Sequence, residues 1–292
     1  MSIKYSHTAI NKVSVVIVNY RSEAPLYVCL KKMHAEKGFG RNIEIIIVNN
    51  GTGDSNLFEK VSKFPHIRII NPKSNLGFSA GVNLGIMASN NNLVMLLNPD
   101  TLVEVKSINS LASCLRKNNA GIAGGTNYTF DEGKHNSFVR KPTMFTYLFD
   151  YTNLRKIIPG DYFHKKHYYL DEPFPVGNIT VDAVSGSFML IDKKVINKIG
   201  LFDERYFMYL EDVDYCLMAI KAGFKVIFCP KSSIKHIGGH SSKNKEKTHI
   251  SAWLESRRNF VKKHENLLTN MLIQPIFLID SIIIEILHKL KK

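Results

Sequence analysis

Five apolar side chains in a row, Leu93 to Leu97, run directly into Asn98-Pro99-Asp100, and no other stretch restricts the possible folds of this chain as tightly. An unbroken apolar run of this length, bounded by turn residues, fits a parallel strand buried on both faces. Pro99 has no N–H to offer a neighbouring strand, and it pushes Asn98 toward extended backbone. The strand therefore stops there and presents a carboxylate where it stops. In an open α/β sheet ligands sit beyond the carboxyl ends of the strands, which makes Asp100 a candidate ligand-binding group. A solvated turn aspartate is the competing interpretation.

The same pattern recurs upstream. Val13–Val18 is a β-branched strand ending at Asn19-Tyr20-Arg21, and Ile43–Val48 is another ending at Asn49-Asn50-Gly51. Helices are predicted around Pro25–Met33, Asn56–Lys63 and Ser79–Ser89, the last rich in small residues, with a strand at Ile67–Ile70. Strands alternating with helices imply βαβ crossovers, an α/β class and a mainly parallel sheet flanked by helices. Because each strand ends in polar residues, several polar loops gather on one sheet edge. Farther on, Ser107–Lys117 is predicted helical, Gly121–Gly125 a strand or turn, Phe188–Ile191 a strand and Lys193–Ile199 a helix. Between them Tyr128–Asn178 is irregular, with aromatics scattered among Pro, Lys and His. So long a stretch is expected to form a functional loop or lid that shapes a pocket, or a partly ordered insertion.

A second acidic group opens a predicted helix over Asp212–Ala222, in the order Glu211-Asp212-Val213-Asp214. Carboxylates in a first helical turn are stabilised by the exposed N–H groups, so capping alone would explain them.

The formal net charge of +14 points to an anionic partner. Roughly half of the excess lies after Pro230, in a stretch crowded with Lys, Arg and His around Trp253. Nucleic acid, a nucleotide, a phosphate-bearing lipid and an anionic membrane all satisfy that charge. The run Leu267–Leu287 has nearly the length to span a bilayer, but Gln274, Pro275, Asp280 and Glu285 argue against a simple span. It fits an interfacial helix anchored by the lysines that end the chain, Lys291 and Lys292 among them, or a helix docked on the preceding domain. Cys29, Cys114, Cys216 and Cys229 form no close pair, so buried thiols in a reducing cytoplasm are expected. The N-terminal apolar piece is too short for a signal peptide.

Six blocks, taken in order, resemble the family 2 glycosyltransferases of the GT-A fold, in the branch with many bacterial rhamnosyltransferases. They are VSVVIVNYRS at Val13–Ser22, EIIIVNNGTGDS at Glu44–Ser55, NLGFSAGVNLG at Asn75–Gly85, LLNPDT at Leu96–Thr101, VSGSFMLID at Val184–Asp192, and FDERYFMYLEDVDYC with the later AGF and His236. The resemblance implies a Rossmann-like catalytic domain over residues 1–264, with a nucleotide-binding half at 13–101, an acceptor half at 102–264 and a C-terminal helical tail at 265–292. It implies that Asp100, closing a variant Asp-x-Asp motif, binds Mg2+ or Mn2+, that His236 completes the metal or diphosphate site, and that Asn98 contacts sugar or ribose. Asp212 would be the base that deprotonates the acceptor hydroxyl, with inversion, and Glu211 would orient the acceptor.

The same resemblance lays the nucleotide over the first strand ends, at Asn19, Tyr20 and Arg21, with Tyr20 stacking on a base and Arg21 reaching a phosphate. Asn49 would bond the base edge where the family usually has Asp, which leaves the base open. Asn75, Gly77 and Asn83 match the loop and helix beside the nucleotide, and Asp182 and Gly186 border the acceptor. The implied activity is transfer of L-rhamnose from dTDP-rhamnose to a glycan or polyprenyl-diphosphate-linked acceptor in surface polysaccharide synthesis, at the inner face of the cytoplasmic membrane. A UDP- or GDP-sugar donor is the alternative. A basic nucleic-acid or anionic-surface module is a rival of another class, although no known nucleic-acid motif is present. A sugar nucleotidylyltransferase would want a Gly-rich phosphate loop where Asn19-Tyr20-Arg21 stands.

Overall fold

The computed structural model describes residues 12–36, 39, 42–129, 133–135, 137–157, 161–237 and 246–290. Residues 1–11, which held most of the N-terminal segment weighed as a leader, and the tail lysines Lys291 and Lys292 lie outside the described residues. The first half alternates as expected: β1 (Val13–Asn19), α1 (Glu23–His34), β2 (Ile43–Asn49), α2 (Ser55–Ser62), β3 (Ile67–Ile70), α3 (Phe78–Met87) and β4 (Leu93–Leu97). Then follow β5 (Thr101–Val103), α4 (Val105–Lys117), β6 (Ile122–Thr129), β7 (Gly133–His135), β8 (Phe138–Val139), α5 (Met144–Phe149), a 3-10 turn at Asn153–Ile157 and α6 (Tyr162–His167). The chain continues with β9 (Ile179–Thr180), β10 (Ala183–Val184), β11 (Phe188–Asp192), α7 (Lys193–Ile199), α8 (Glu211–Lys221), β12 (Val226–His236), α9 (Glu246–His264) and α10 (Leu267–Leu290).

The central sheet runs β3-β2-β1-β4-β11-β6-β12-β5. Its first four strands are parallel. β11 enters antiparallel to both β4 and β6, whereas β6 and β12 are again parallel. Strands in the middle are covered on both faces, which is why they carry apolar side chains in both phases of the pleat. In β1, Val13, Val15 and Ile17 enter one core with Leu26 of α1 and Leu111 of α4, while Val16 and Val18 enter the other with Val82 of α3. β4 divides in the same way, Leu93, Met95 and Leu97 against Val94 and Leu96. Small residues let α3 lie directly on β1: a Cβ on Gly85 would stand 2.2 Å from Val16 Cγ1, and one on Gly81 2.8 Å from Val18 Cγ1.

Three expectations change. The described residues of Tyr128–Asn178 form several short elements, with α5 and α6 stacking through Phe145, Phe149 and Phe163; helices this short carry too few turns for a periodic signal. Cys114 and Cys229 are not free thiols but a disulfide joining α4 to β12 across 115 residues of sequence, a pairing that no local spacing could announce. Asp214, which capping alone would have explained, is not a cap. It is buried, accepts from Lys263 Nζ at 2.8 Å and lies 2.6 Å from His264 Nε2, tying α8 to α9.

The last helix shows one stripe to the body. Ile273, Phe277 and Asp280 are buried against α9 and α5, while Leu268, Leu272, Ile279 and Ile283 are exposed on its other faces. Spacings of three and four residues give one buried stripe, and this helix is apolar well beyond that stripe.

Candidate active site

Three strand connections converge to build the site. β4 ends at Leu97, and the N–H of Asn98 donates to Ser187 O at 3.1 Å, so Asn98-Pro99-Asp100 lies beside the turn that starts β11. In that turn Gly186 N donates to Asp212 Oδ2 at 2.9 Å. Thr101 and His236 are paired partners in the β5–β12 ladder, which brings His236 Nδ1 to 3.4 Å from Asp100 Oδ2. Asp100 and Asp212, 112 positions apart in the chain, therefore line one cavity of about 350 Å³.

Of the residues singled out in the sequence, Tyr20, Asn75, Gly77, Asn98, Asp100, Gly186, Glu211 and Asp212 share that cavity. Gly77 has φ +86, and a Cβ there would come within 2.5 Å of Phe207 O, so only glycine lets the loop before α3 pass this close. The other candidates lie off it. Asn19 is fully buried, its amide donating to Glu23 Oε1 and Asn49 Oδ1, each at 3.1 Å. Asn49 donates to Thr52 and Asn71. Asn83 spends every polar atom on the loop before α8, donating to Phe202 O and Glu204 Oε1 and accepting from Phe202 N. Arg21 is exposed, in the left-handed region at φ 50, with its guanidinium 5.6 Å from the Tyr20 ring centroid. Asp182 accepts from Lys141 N at 2.7 Å.

Sequence reasoning passed over Asn50, Ser187, Phe207, Met208, Tyr209 and His249, all on the cavity wall. Asn50 adjoins the singled-out Asn49, and its amide bridges Gly77 O at 2.6 Å and Leu76 N at 3.1 Å. Phe207–Tyr209 lie inside the quoted FMYLED block. His249 had no signal: it arrives from α9 and pairs with the Tyr209 hydroxyl at 2.7 Å.

The backbone leading to the acidic pair is strained. Tyr209 and Leu210 both have positive φ, 75° and 65°, a costly arrangement for two successive side-chain-bearing residues. It turns the chain so that Glu211 and Asp212 start α8 facing the cavity. Both carboxyls are raised above their ordinary range. Burial is the main cause for each, Glu211 also feels the Asp212 charge, and the N–H groups of Gly186 and Val213 pull Asp212 back down. Glu211 Oε2 is buried with no hydrogen-bond partner among the described residues.

Glu211 should therefore cost stability when ionised. Its folded pKa lies above the unfolded value of about 4.3, so stability is lost as pH rises from there through the folded pKa. Glu211→Gln, which does not titrate, is expected to match the parent near pH 4 and to melt higher at pH 7 by about 2–4 °C, the equivalent of about 1 kcal/mol in a chain of this size. Melting curves across pH check this, and a constant gap would show that ionisation is not the cause.

Comparison with known proteins agrees with this architecture. Among solved structures, GalNAc-T7 with UDP, GalNAc and Mn2+ aligns with TM-score 0.60 at 14% identity, over 86% of this chain and 48% of that one, so the chain spans about half its length. A mannosyltransferase from Pyrobaculum calidifontis in complex with GDP-Man and Mn2+ aligns with TM-score 0.59 at 11% identity, over 89% and 66%. In sequence, the N-acetylglucosaminyl-diphospho-decaprenol L-rhamnosyltransferase of Mycobacterium tuberculosis is 26% identical over 236 residues, 76% of this chain and 75% of that protein. The low-salt glycan biosynthesis hexosyltransferase of Haloferax volcanii is 27% identical over 231 residues, 77% and 67% respectively. The profile described as "Glycosyltransferase like family 2" matches residues 11–254. With a cavity of about 350 Å³ at the strand ends and a match over most of its length, this chain belongs to the family 2 glycosyltransferases and is a glycosyltransferase.

Proposed function

We propose that this enzyme transfers L-rhamnose from dTDP-rhamnose, with inversion, to a saccharide or polyprenyl-diphosphate-linked acceptor. The observation that carries the reading is the meeting of Asp100 and Asp212 on one cavity. Asp212 is the base: each oxygen accepts one backbone N–H, from Gly186 and from Val213, which holds the carboxylate in place and leaves lone pairs for an acceptor hydroxyl. Glu211, on the same wall, orients the acceptor. Tyr20, Asn75 and Asn98 hold the nucleotide sugar.

Asp100 and His236 would hold Mg2+ or Mn2+. Among the described residues no group of three or more His, Cys, Asp or Glu could hold a metal. A nucleotide-site cation, however, takes one or two carboxylates and fills its remaining positions with substrate phosphate and water, so a carboxylate with an imidazole 3.4 Å away fits. When bound, such an ion neutralises charge on the departing diphosphate.

Turnover with dTDP-rhamnose, UDP-sugars and GDP-sugars, with and without EDTA, tests the assignment. Transfer from dTDP-rhamnose that EDTA abolishes is the expected result. Transfer from a UDP- or GDP-sugar alone selects the other donor class. Hydrolysis or transfer of none sinks the reading.

The same proposal seats α10 on the inner face of the cytoplasmic membrane as a tail, residues 265–292, to the catalytic body. Leu267–Leu287 has a mean hydropathy of 1.8 and is only 22% buried, and a lipid surface covers such a face without a protein partner. Leu268→Glu combined with Ile279→Glu is expected to reduce sedimentation with anionic vesicles by at least an order of magnitude. Unchanged sedimentation would leave the helix without its lipid role.

A further inference from the structure

Between α7 and α8 the chain from Leu201 to Leu210 forms neither helix nor strand, yet it ends in the strained pair Tyr209 and Leu210 on which the direction of Glu211 and Asp212 depends. Positive φ at two successive side-chain-bearing residues persists only where the surroundings impose it. Here the surroundings include one face of α9.

The contacts along that face run antiparallel to the loop. Lys263 Nζ donates to Asp203 Oδ2 at 2.9 Å, Asn259 Nδ2 to Arg205 O at 3.1 Å and Ser256 Oγ to Met208 O at 2.8 Å, while His249 Nδ1 pairs with the Tyr209 hydroxyl at 2.7 Å. As the loop advances from 203 to 209, the helix recedes from 263 through 259 and 256 to 249, by steps of four, three and seven residues. Those steps keep to one side of a helix. A loop without a ladder of its own must satisfy its backbone carbonyls elsewhere, and Ser256 and Asn259, about one turn apart, serve two of them. Lys263 also donates to Asp214 Oδ2 at 2.8 Å, so α9 grips both the loop and the helix that the loop starts. The other side of the loop is fixed at the beginning of α3, where Phe78 N donates to Phe207 O at 2.6 Å.

We propose that Ser256, Asn259 and Lys263 are positioning residues, which through the loop at 203–210 impose the backbone that starts α8 and so hold the Asp212 carboxylate against Gly186 N. None of the three borders the cavity that Asp212 lines, so each acts through the loop. The proposal rests on Asp212 as the base and adds what keeps the base in place. Freed from α9, Tyr209 and Leu210 relax to negative φ, the first turn of α8 rotates, and Asp212 parts from Gly186 and meets water.

Ser256→Ala combined with Asn259→Leu, a pair that changes no charge, tests this in the full-length protein. Turnover is expected to fall by about ten- to a hundredfold, the effect of displacing a reacting group by about an ångström. The calorimetric Kd of the nucleotide sugar should stay at the parent's value, because Tyr20, Asn75 and Asn98 reach the cavity from other elements. Two readouts separate positioning from plain destabilisation. Burial raises the Asp212 carboxyl, so its release into water moves the acid limb of kcat/KM down toward about 3.9. The ionisable groups around it are the same in both proteins: Glu211, Asp214 and Cys216 on its own helix, Tyr151 and Tyr168 from the stretch before β9, and His249 of α9 on the cavity wall. Hydrogen exchange at the Gly186 amide, which donates to Asp212 in the parent, should quicken. Melting curves control for folding, and the two single variants serve if the double variant does not fold. The proposal is overturned if folded variants turn over like the parent, or if turnover falls while the acid limb and the Gly186 exchange stay where they were. Full turnover by Asp212→Asn with α9 unaltered sinks the base assignment alone, and the Gly186 exchange still decides whether α9 holds that carboxylate.

Discussion

Asp212→Asn is expected to lower turnover by about a hundred- to ten-thousand-fold, the span that a positioned general base contributes. The amide keeps the size of the side chain and removes its capacity to take a proton. It also has one oxygen where the carboxylate has two, so one of the N–H groups of Gly186 and Val213 loses its acceptor, at a cost of about 1–3 kcal/mol in stability. Rate and stability therefore both fall, but only the rate falls by orders of magnitude. Steady-state rates alongside melting curves separate the two, and turnover within a few-fold of the parent would place the base elsewhere. The pH profile supplies an independent check. Burial raises the Asp212 carboxyl, so the acid limb of kcat/KM should lie above the usual aspartate value of about 3.9, with activity lost as pH falls through it.

Asp280→Leu should be the most damaging substitution outside the site. Arg257 is 0% exposed, and its guanidinium donates to Asp280 Oδ2 at 2.6 Å, to Phe277 O at 3.0 Å and to Tyr151 O at 2.5 Å. Asp280 in turn accepts from the backbone and side chain of Asn153. Removing the carboxylate leaves a buried cation uncompensated, which costs about 3–5 kcal/mol and lowers the melting temperature by roughly ten degrees. Arg257→Met on top of Asp280→Leu should restore most of that loss, since an apolar pair of similar volume is often neutral. A double-mutant cycle measures the coupling, and additive effects would show that the pair does not act as a unit. The same guanidinium ties the buried end of the apolar helix to Tyr151.

Much of the left half of the molecule was legible from side-chain order alone. β4 is an unbroken run of Leu, Val and Met, and β1 and β2 are Val- and Ile-rich strands interrupted only by Ser14 and Glu44, a composition that calls for burial on both faces, and each is closed by polar residues. Asp100 could be singled out because Pro99 ends its strand. The asparagines were harder. Asn19, Asn49, Asn75 and Asn83 look alike in sequence, yet Asn75 lines the cavity while Asn83 and Asn19 are spent inside the protein holding loops together. An amide that can donate and accept serves either role, and which one it serves depends on neighbours as far as 119 positions away. Asp214 was missed for the same reason, its partners Lys263 and His264 lying on another helix.

By itself the sequence determined the alternation of strands and helices as far as Leu97, singled out the two acidic groups and marked the apolar tail, because hydrophobic period and chain-breaking residues act over a few positions and survive without any knowledge of neighbours. Only the tertiary structure decided that β11 runs antiparallel beside β4, that Cys114 meets Cys229, and that α9 lies along the loop before Asp212. Those are matters of which surfaces touch. Contacts between segments a hundred residues apart are selected by the packing of the whole core and leave no mark in any short window of the chain.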